Sequence, residues 1–295
     1  MAKIKALFIH AHYDDFEFTA AGTFELWRQQ LDDEFQARVI ICTDGKAGHQ
    51  FRSREETGTM RIAEMEASAE IGGFEFESLR YANGEIPREA CLQVDVDLLS
   101  ALWKEIRDFE PDYLFCPPVI TDAFAGVHID HVAVADAIRK VAYMINVPHA
   151  FTPEYPSDDP NPPLCKVPVI INCYDPYMHS SNALDVSVDI SDAFDLVCEM
   201  SYCHKSQIVE WLPWVSSPTP TESPKDLDDW RRILRKNFSN RDKGNGLDNN
   251  IISEIFTITA WGSVPTVAQL KVDFPNIKLD EAALSQQLQK WGGAE

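Results

Sequence analysis

The chain has 295 residues, 45% of them hydrophobic, which suits one large α/β domain with an appended segment and no need for disulfide staples. Its 47 acidic against 26 basic residues give a net charge of −21, a surface that repels nucleic acid and anionic lipid and suits neutral or cationic small molecules. The same acidity also keeps a protein soluble without further purpose.

In chain order, residues 4–12 form a short apolar run ending in His10 and His12, read as a buried strand emptying into a loop. Polar residues break this run too early for a signal peptide, and no later stretch is apolar enough to span a bilayer. A helix is expected over residues 19–31 with Thr19 as its cap, then a strand over 38–42 closed by Thr43-Asp44-Gly45. A second helix over 52–71 stops at Gly72-Gly73, followed by a strand over 74–79, a helix over 92–109 ended by Pro111, and a strand over 113–116. A helix over 128–144 completes a strand-helix alternation, the signature of a mostly parallel sheet covered on both faces. The Gly-rich dinucleotide fingerprint is absent after the first strand, so the layout is Rossmann-like without that cofactor.

Residues 148–168 hold seven prolines and read as a long loop, a candidate lid. Strands over 167–173 and 184–190 and a helix capped by Ser191 and running to about His204 then complete a core over 1–212. A Pro/Ser/Thr-rich linker over 213–224 leads to a mainly helical extension over 225–295, packed on the core. The seven cysteines form no CxxC pair and several sit in apolar runs, so reduced buried thiols and a cytoplasmic setting are expected. A homo-oligomer is compatible with the sequence, which carries no specific interface signal.

Two clusters carry chemistry. His12-Tyr13-Asp14-Asp15 follows the first strand, and ligands in doubly wound sheets bind beyond the carboxyl ends of strands. A histidine and two carboxylates packed there are costly unless paired or bound to metal. His128-Ile129-Asp130-His131 opens the helix after the fourth strand, with its histidines at i and i+3 on one face. Alone, each cluster is also what a solvated strand end or helix start looks like. Together they converge on one crevice, where His12, Asp15 and His131 would give two imidazoles and a carboxylate, the ligand count of a catalytic zinc site with a free position for water.

These segments resemble the LmbE/PIG-L family of zinc-dependent N-acetylglucosaminyl deacetylases, whose hallmarks are AHPDDE and a later HPDH. Here they read Ala11-His12-Tyr13-Asp14-Asp15-Phe16 and His128-Ile129-Asp130-His131. Thr43-Asp44-Gly45-Lys46-Ala47-Gly48, Arg61-Ile62-Ala63-Glu64, Tyr81-Ala82-Asn83-Gly84, His204-Lys205-Ser206-Gln207 and Glu254-Ile255-Phe256 follow in the family's order, extending the resemblance to about residue 260. The resemblance implies a Rossmann-like three-layer α/β sandwich and removal of an N-acetyl (acyl) group from an amino sugar or its glycoside. It implies His12, Asp15 and His131 as ligands of Zn2+, or of another divalent metal such as Fe2+, with Asp14 as general base. It further implies His128 as oxyanion stabiliser or proton donor, Asp130 as the group that orients a histidine, and Arg61 and Asn83 as substrate-binding residues.

Three positions depart from the family pattern. Tyr13 at the family proline puts a bulky ring near the metal, Phe16 at the family glutamate leaves Glu17 one position late, and Asn83 at an aspartate loses a charge. His49 and His204 are further candidates for the site wall, whereas His10, His149 and His179 read as structural or loop residues. Two other functions fit part of the pattern: a non-haem Fe(II) oxygenase, which shares the two-histidine-one-carboxylate set, and a non-catalytic sugar-binding member of the same fold.

Overall fold

The computed structural model describes residues 3–157, 163–178, 182–216 and 222–293. The elements in chain order are β1 (Ile4–His10), α1 (Asp15–Thr19), α2 (Ala21–Leu31), β2 (Phe35–Ile41), α3 (Arg54–Gly72), β3 (Glu75–Ser78), α4 (Val96–Phe109), β4 (Tyr113–Cys116) and α5 (Ile129–Met144). There follow β5 (Val169–Cys173), β6 (Val186–Asp189), α6 (Phe194–Tyr202), a π-helical stretch Ser206–Trp211 running into α7 (Leu212–Val215), α8 (Leu227–Gly244), β7 (Ser253–Ile258), α9 (Val267–Asp273), β8 (Ile277–Leu279) and α10 (Glu281–Lys290).

The strands make one eight-stranded sheet in the order β3-β2-β1-β4-β5-β7-β6-β8. From β3 to β5 every pairing is parallel, as the helical crossovers require. The pairings of β7 with β5 and β6, and of β8 with β6, are antiparallel. Alternation along β1 divides the core: Ala6 and Phe8 join the cluster with residues of α1, α2, α3, α6 and α8, while Leu7 and Ile9 face α4 and α5. The result is a three-layer α/β sandwich with a mostly parallel centre.

Helix ends follow local chemistry. Ser53 and Glu56 form a reciprocal capping box on α3, and Gly73, at φ +67°, closes that helix in the left-handed conformation glycine favours. Asp95 and Asp226 cap α4 and α8 by accepting backbone N–H bonds.

Several expectations need correction. The helix foreseen over 19–31 is two helices broken at Ala20, and Thr19 spends its hydroxyl on the Asp15 carbonyl at 2.7 Å instead of capping. Ser191 does not cap α6; its hydroxyl donates to Asp189 at 2.7 Å. Residues 225–295, expected to be mainly helical, also supply β7 and β8, and β7 lies inside the sheet between β5 and β6. Part of the Pro-rich loop (residues 158–162), His179, and residues 217–221 of the expected linker lie outside the described residues. Among the described residues of the loop, none lines the cavity at the strand ends; Phe151 packs edge-on against Trp103, on the α4–α5 face. Among the described residues, no helix is long and apolar enough to cross a membrane.

Candidate metal centre and active site

β1 and β4 are adjacent and parallel, so the segments that leave their carboxyl ends meet. His12 and Asp14 lie on the turn between β1 and α1, and Asp15 is the first residue of α1. His128 is the N-cap of α5, with Asp130 and His131 in its first turn.

Three side-chain atoms close into a triangle. His12 Nδ1 lies 2.9 Å from His131 Nε2, and each lies 3.5 Å from Asp15 Oδ2. A tetrahedral ion with bonds of about 2.1 Å holds its ligand atoms about 3.4 Å apart. The donor set of two imidazoles and a carboxylate therefore fits a divalent cation such as zinc. His128 stands close by: ligand atoms of His12, His128 and His131 lie within 4.8 Å of one another, as do those of His10, Asp15 and His131.

The surroundings orient each member of the triangle. Asp130 Oδ2 sits 3.2 Å from His12 Nε2, and this buried carboxylate also accepts the backbone N–H groups of Ala90 at 2.7 Å and Leu92 at 3.2 Å. Asp175 Oδ2 lies 2.6 Å from His131 Nδ1. His10 Nδ1 lies 2.5 Å from Asp15 Oδ2, which also accepts the His12 backbone N–H at 2.7 Å. Histidine ligands held from behind by carboxylates in this way keep one ring nitrogen fixed on the metal side.

The carboxylates around the triangle govern its electrostatics. Burial alone would lower the His12 imidazole, yet hydrogen bonds with Asp130 and Asp15 outweigh it and push its pKa up to about 10. Burial opposes ionisation of Asp15 as well, and its neighbours His10 and His131 overcome it, holding the carboxyl well below its ordinary range. Asp14 has no such hydrogen-bonded partner among the described residues: burial and then the adjacent Asp15 push it up to about 6, against the pull of His204, Arg61 and His12. Burial and the neighbouring His12 and His131 lower His128 to about 4. Its Nδ1 accepts the Asp130 backbone N–H at 3.3 Å, so the proton of the neutral ring sits on Nε2, a donor on the cavity wall.

The triangle and Asp14 open into a cavity of about 560 Å³, within the range of small-molecule sites. Glu89, Asp175, Tyr177, Gln207 and Trp211 also line it. Gln207 and Trp211 belong to the π-helical stretch, a geometry frequent at functional sites.

Of the residues foreseen from the sequence, His12, Asp14, Asp15, His128, Asp130 and His131 come together. Arg61 and Asn83 do not join them on the wall. Arg61 is 1% exposed and spends its guanidinium on the carbonyls of Gly45 and Gly48, on Glu89, and on Gln207 Oε1 at 2.7 Å. Glu64, one turn on, accepts the Ser206 N–H at 2.8 Å and its hydroxyl at 2.6 Å. The Arg61–Glu64 and Ser206–Gln207 motifs thus lock onto each other and hold the π-helical wall. Asn83 is exposed in a turn and bonds Glu85.

Tyr13 does not crowd the metal side. It is fully buried, its hydroxyl 3.0 Å from Ser78 Oγ and its ring against Phe76 and Gly45. Glu17 is buried rather than lost: its Oε1 accepts the Ser68 hydroxyl at 2.5 Å and lies 3.2 Å from His204 Nε2. His204 is wholly buried and His49 pairs with Glu210 at 2.8 Å; neither lines the cavity. Sequence reasoning missed Asp175 and Glu89 and took His10 as structural. The strand-end rule that singles out His12 applies equally to Asp175, two residues past β5.

Residues 7–142, which hold both histidine-aspartate segments, match the model of the PIG-L family, described as GlcNAc-PI de-N-acetylase. Over this part of its length the chain is similar to the PIG-L family. Asp175 and Gln207, which line the cavity, lie beyond the PIG-L match. No curated protein matches the chain in sequence. Among solved structures, the chain is similar to the N,N'-diacetylchitobiose deacetylase of Pyrococcus horikoshii complexed with its inhibitor MPG, at 22% identity and TM-score 0.62, covering 88% of this chain and 84% of that one. It is similar to GalB, the 4-carboxy-2-hydroxymuconate hydratase of Pseudomonas putida KT2440, at 16% identity and TM-score 0.59, covering 88% and 96%. The zinc-inhibited form of the teicoplanin deacetylase Orf2 follows at 14% identity and TM-score 0.52, covering 86% and 98%. At these identities the likeness establishes the shared fold.

Proposed function

We propose that this protein is a divalent-metal-dependent N-deacetylase that hydrolyses an N-acetyl (acyl) group on an amino sugar or its glycoside. The single observation that carries the reading is the His12–Asp15–His131 triangle opening into a cavity whose wall includes Asp14, a carboxylate beside it with no ion pair among the described residues. When bound there, zinc or another divalent cation supplies Lewis acidity to water and to the amide oxygen.

The chain's own residues do the rest. His12, Asp15 and His131 bind the cation, and Asp130 and Asp175 fix the two imidazoles from behind. Asp14 accepts at its carboxylate the proton that the attacking water gives up. His128, with its proton on Nε2, donates to the oxygen that gains charge as the carbonyl becomes tetrahedral. The proton held by Asp14 then goes to the departing amine nitrogen. Gln207 and Trp211 give the sugar a polar and an aromatic wall. The unpaired state of all seven cysteines supports a reducing, cytoplasmic setting.

The fold alone does not choose this chemistry, because GalB, named a hydratase, shares it. The PIG-L match over both ligand segments favours amide hydrolysis. The test is amine release from N-acetylglucosamine and its glycosides by metal-loaded protein, wild type against Asp14→Asn. The expected outcome is release by the wild type and a fall of about 10²–10⁴-fold in the variant, with metal content retained. A variant of full rate removes Asp14 from the base role. Hydration of an unsaturated acid without release of amine from any amide overturns the reading in favour of a hydratase.

A further inference from the structure

The cavity is longer than an acetyl group requires. From the triangle it continues along α1 and then along one face of α8, beyond the PIG-L match. Trp230, Leu234 and Phe238 stand at i, i+4 and i+8 on that face and all line the cavity. Eight residues of helix place Trp230 and Phe238 about 12 Å apart. Phe18, Ile208 and Leu212 add apolar wall. This wing is mostly apolar and aromatic, with Asn237 and Arg241 as the polar members of the α8 face, in contrast to the carboxylates at the triangle.

We propose that the wing takes the acyl group of the substrate, and that this group is an apolar chain or ring longer than acetyl. The inference rests on the amide-hydrolase reading of the same site. Placement decides between the acyl and the aglycone side. Phe18 and Thr19 line the cavity at i+3 and i+4 from Asp15, so the apolar wall begins about 5–6 Å from a ligand residue. An acyl chain starts at the reacting carbon and meets that wall at once, whereas an aglycone is separated from it by the sugar ring. The reaction is balanced without a co-reactant: water's oxygen bonds to the acyl carbon, the amide C–N bond breaks, and water's proton passes to the nitrogen. The products are a free amine and a fatty or aryl carboxylic acid.

The experiment uses metal-loaded protein and glucosamines carrying N-acetyl, N-butanoyl, N-hexanoyl and N-octanoyl groups, with octyl N-acetylglucosaminide as the aglycone arm. Amine release should show kcat/KM rising roughly fourfold per buried methylene along the acyl series, with no comparable gain from the octyl aglycone. Leu212→Trp, at a half-buried wall position, should lower the octanoyl-to-acetyl ratio; Leu234→Phe serves if the first variant fails to fold. An acyl series that is flat or falling while acetyl is released overturns the wing assignment and leaves the hydrolase reading standing. So does a gain confined to the octyl aglycone, or an unchanged ratio in a folded variant. Release from none of these amides overturns both.

Discussion

Asp175 and His131 form a carboxylate–imidazole pair, Oδ2 to Nδ1 at 2.6 Å, that turns the other ring nitrogen of His131 toward His12 and Asp15. Asp175 is 1% exposed, and although burial opposes its ionisation, the hydrogen bond to His131 holds its carboxyl below the ordinary range. Asp175→Asn keeps the shape but loses the charge that raises the basicity of the ligand. The expected result is metal affinity about 10–100-fold weaker by competitive chelator titration, with the fold unchanged by circular dichroism. Wild-type affinity in the variant would make the pair a packing detail.

Glu254 ties the last part of the chain to the first. From β7 its carboxylate accepts the backbone N–H groups of Gly22 and Thr23 at 2.8 Å each and the Thr23 hydroxyl at 2.6 Å. α2 starts at Ala21 with no side-chain cap of its own, so a residue 231 positions away supplies the acceptor. Glu254→Ala leaves buried donors unmet, at about 1–3 kcal/mol each. A urea unfolding midpoint well below wild type, with a smaller loss for Glu254→Gln, is the outcome to look for.

Glu210 gives a pH dependence away from the metal. It bonds His49 Nε2 at 2.8 Å and Arg52 Nη2 at 2.7 Å, joining the loop before α3 to the π-helical wall. Burial would raise its carboxyl, and the bonds from Arg52 and His49 more than offset this, holding it below the ordinary value. A depressed folded-state value means stability present above the ordinary glutamate pKa of about 4.3 and lost as pH falls through the folded value. The pair is partly exposed, so its worth is up to about 1 kcal/mol. The difference in urea midpoint between wild type and Glu210→Gln should hold from pH 8 to 5 and close below about pH 4; a gap constant with pH would contradict this origin.

The parallel half of the fold is legible because each strand is a short apolar run with a turn signal behind it. The strand expected over 113–116 is β4 to the residue. β7 is hidden by its composition: Ser253-Glu254-Ile255-Phe256-Thr257-Ile258 puts a carboxyl within an inner strand, where the α2 amides and the Thr23 hydroxyl satisfy it. The break at Ala20 has no glycine or proline to announce it. Within the site, motif spacing reveals the residues of the His12–Asp15–His131 triangle, because they sit on two short segments. Asp175 stands alone after its strand, and Arg61 looks like a substrate contact until its guanidinium is found enclosed by Gly45, Gly48 and Gln207. Tyr13 departs from the family proline without closing the cavity because Gly45, at φ +61°, leaves room for the ring; an added Cβ would come within 2.6 Å of it.

The most direct check on the central claim, that two segments more than a hundred residues apart share one cation, is metal content per chain by elemental analysis after zinc loading and exhaustive buffer exchange. Wild type should carry one equivalent, and His12→Ala and His131→Ala, each still folded, should carry little. Full occupancy in either folded variant, or none in the wild type, would contradict the account.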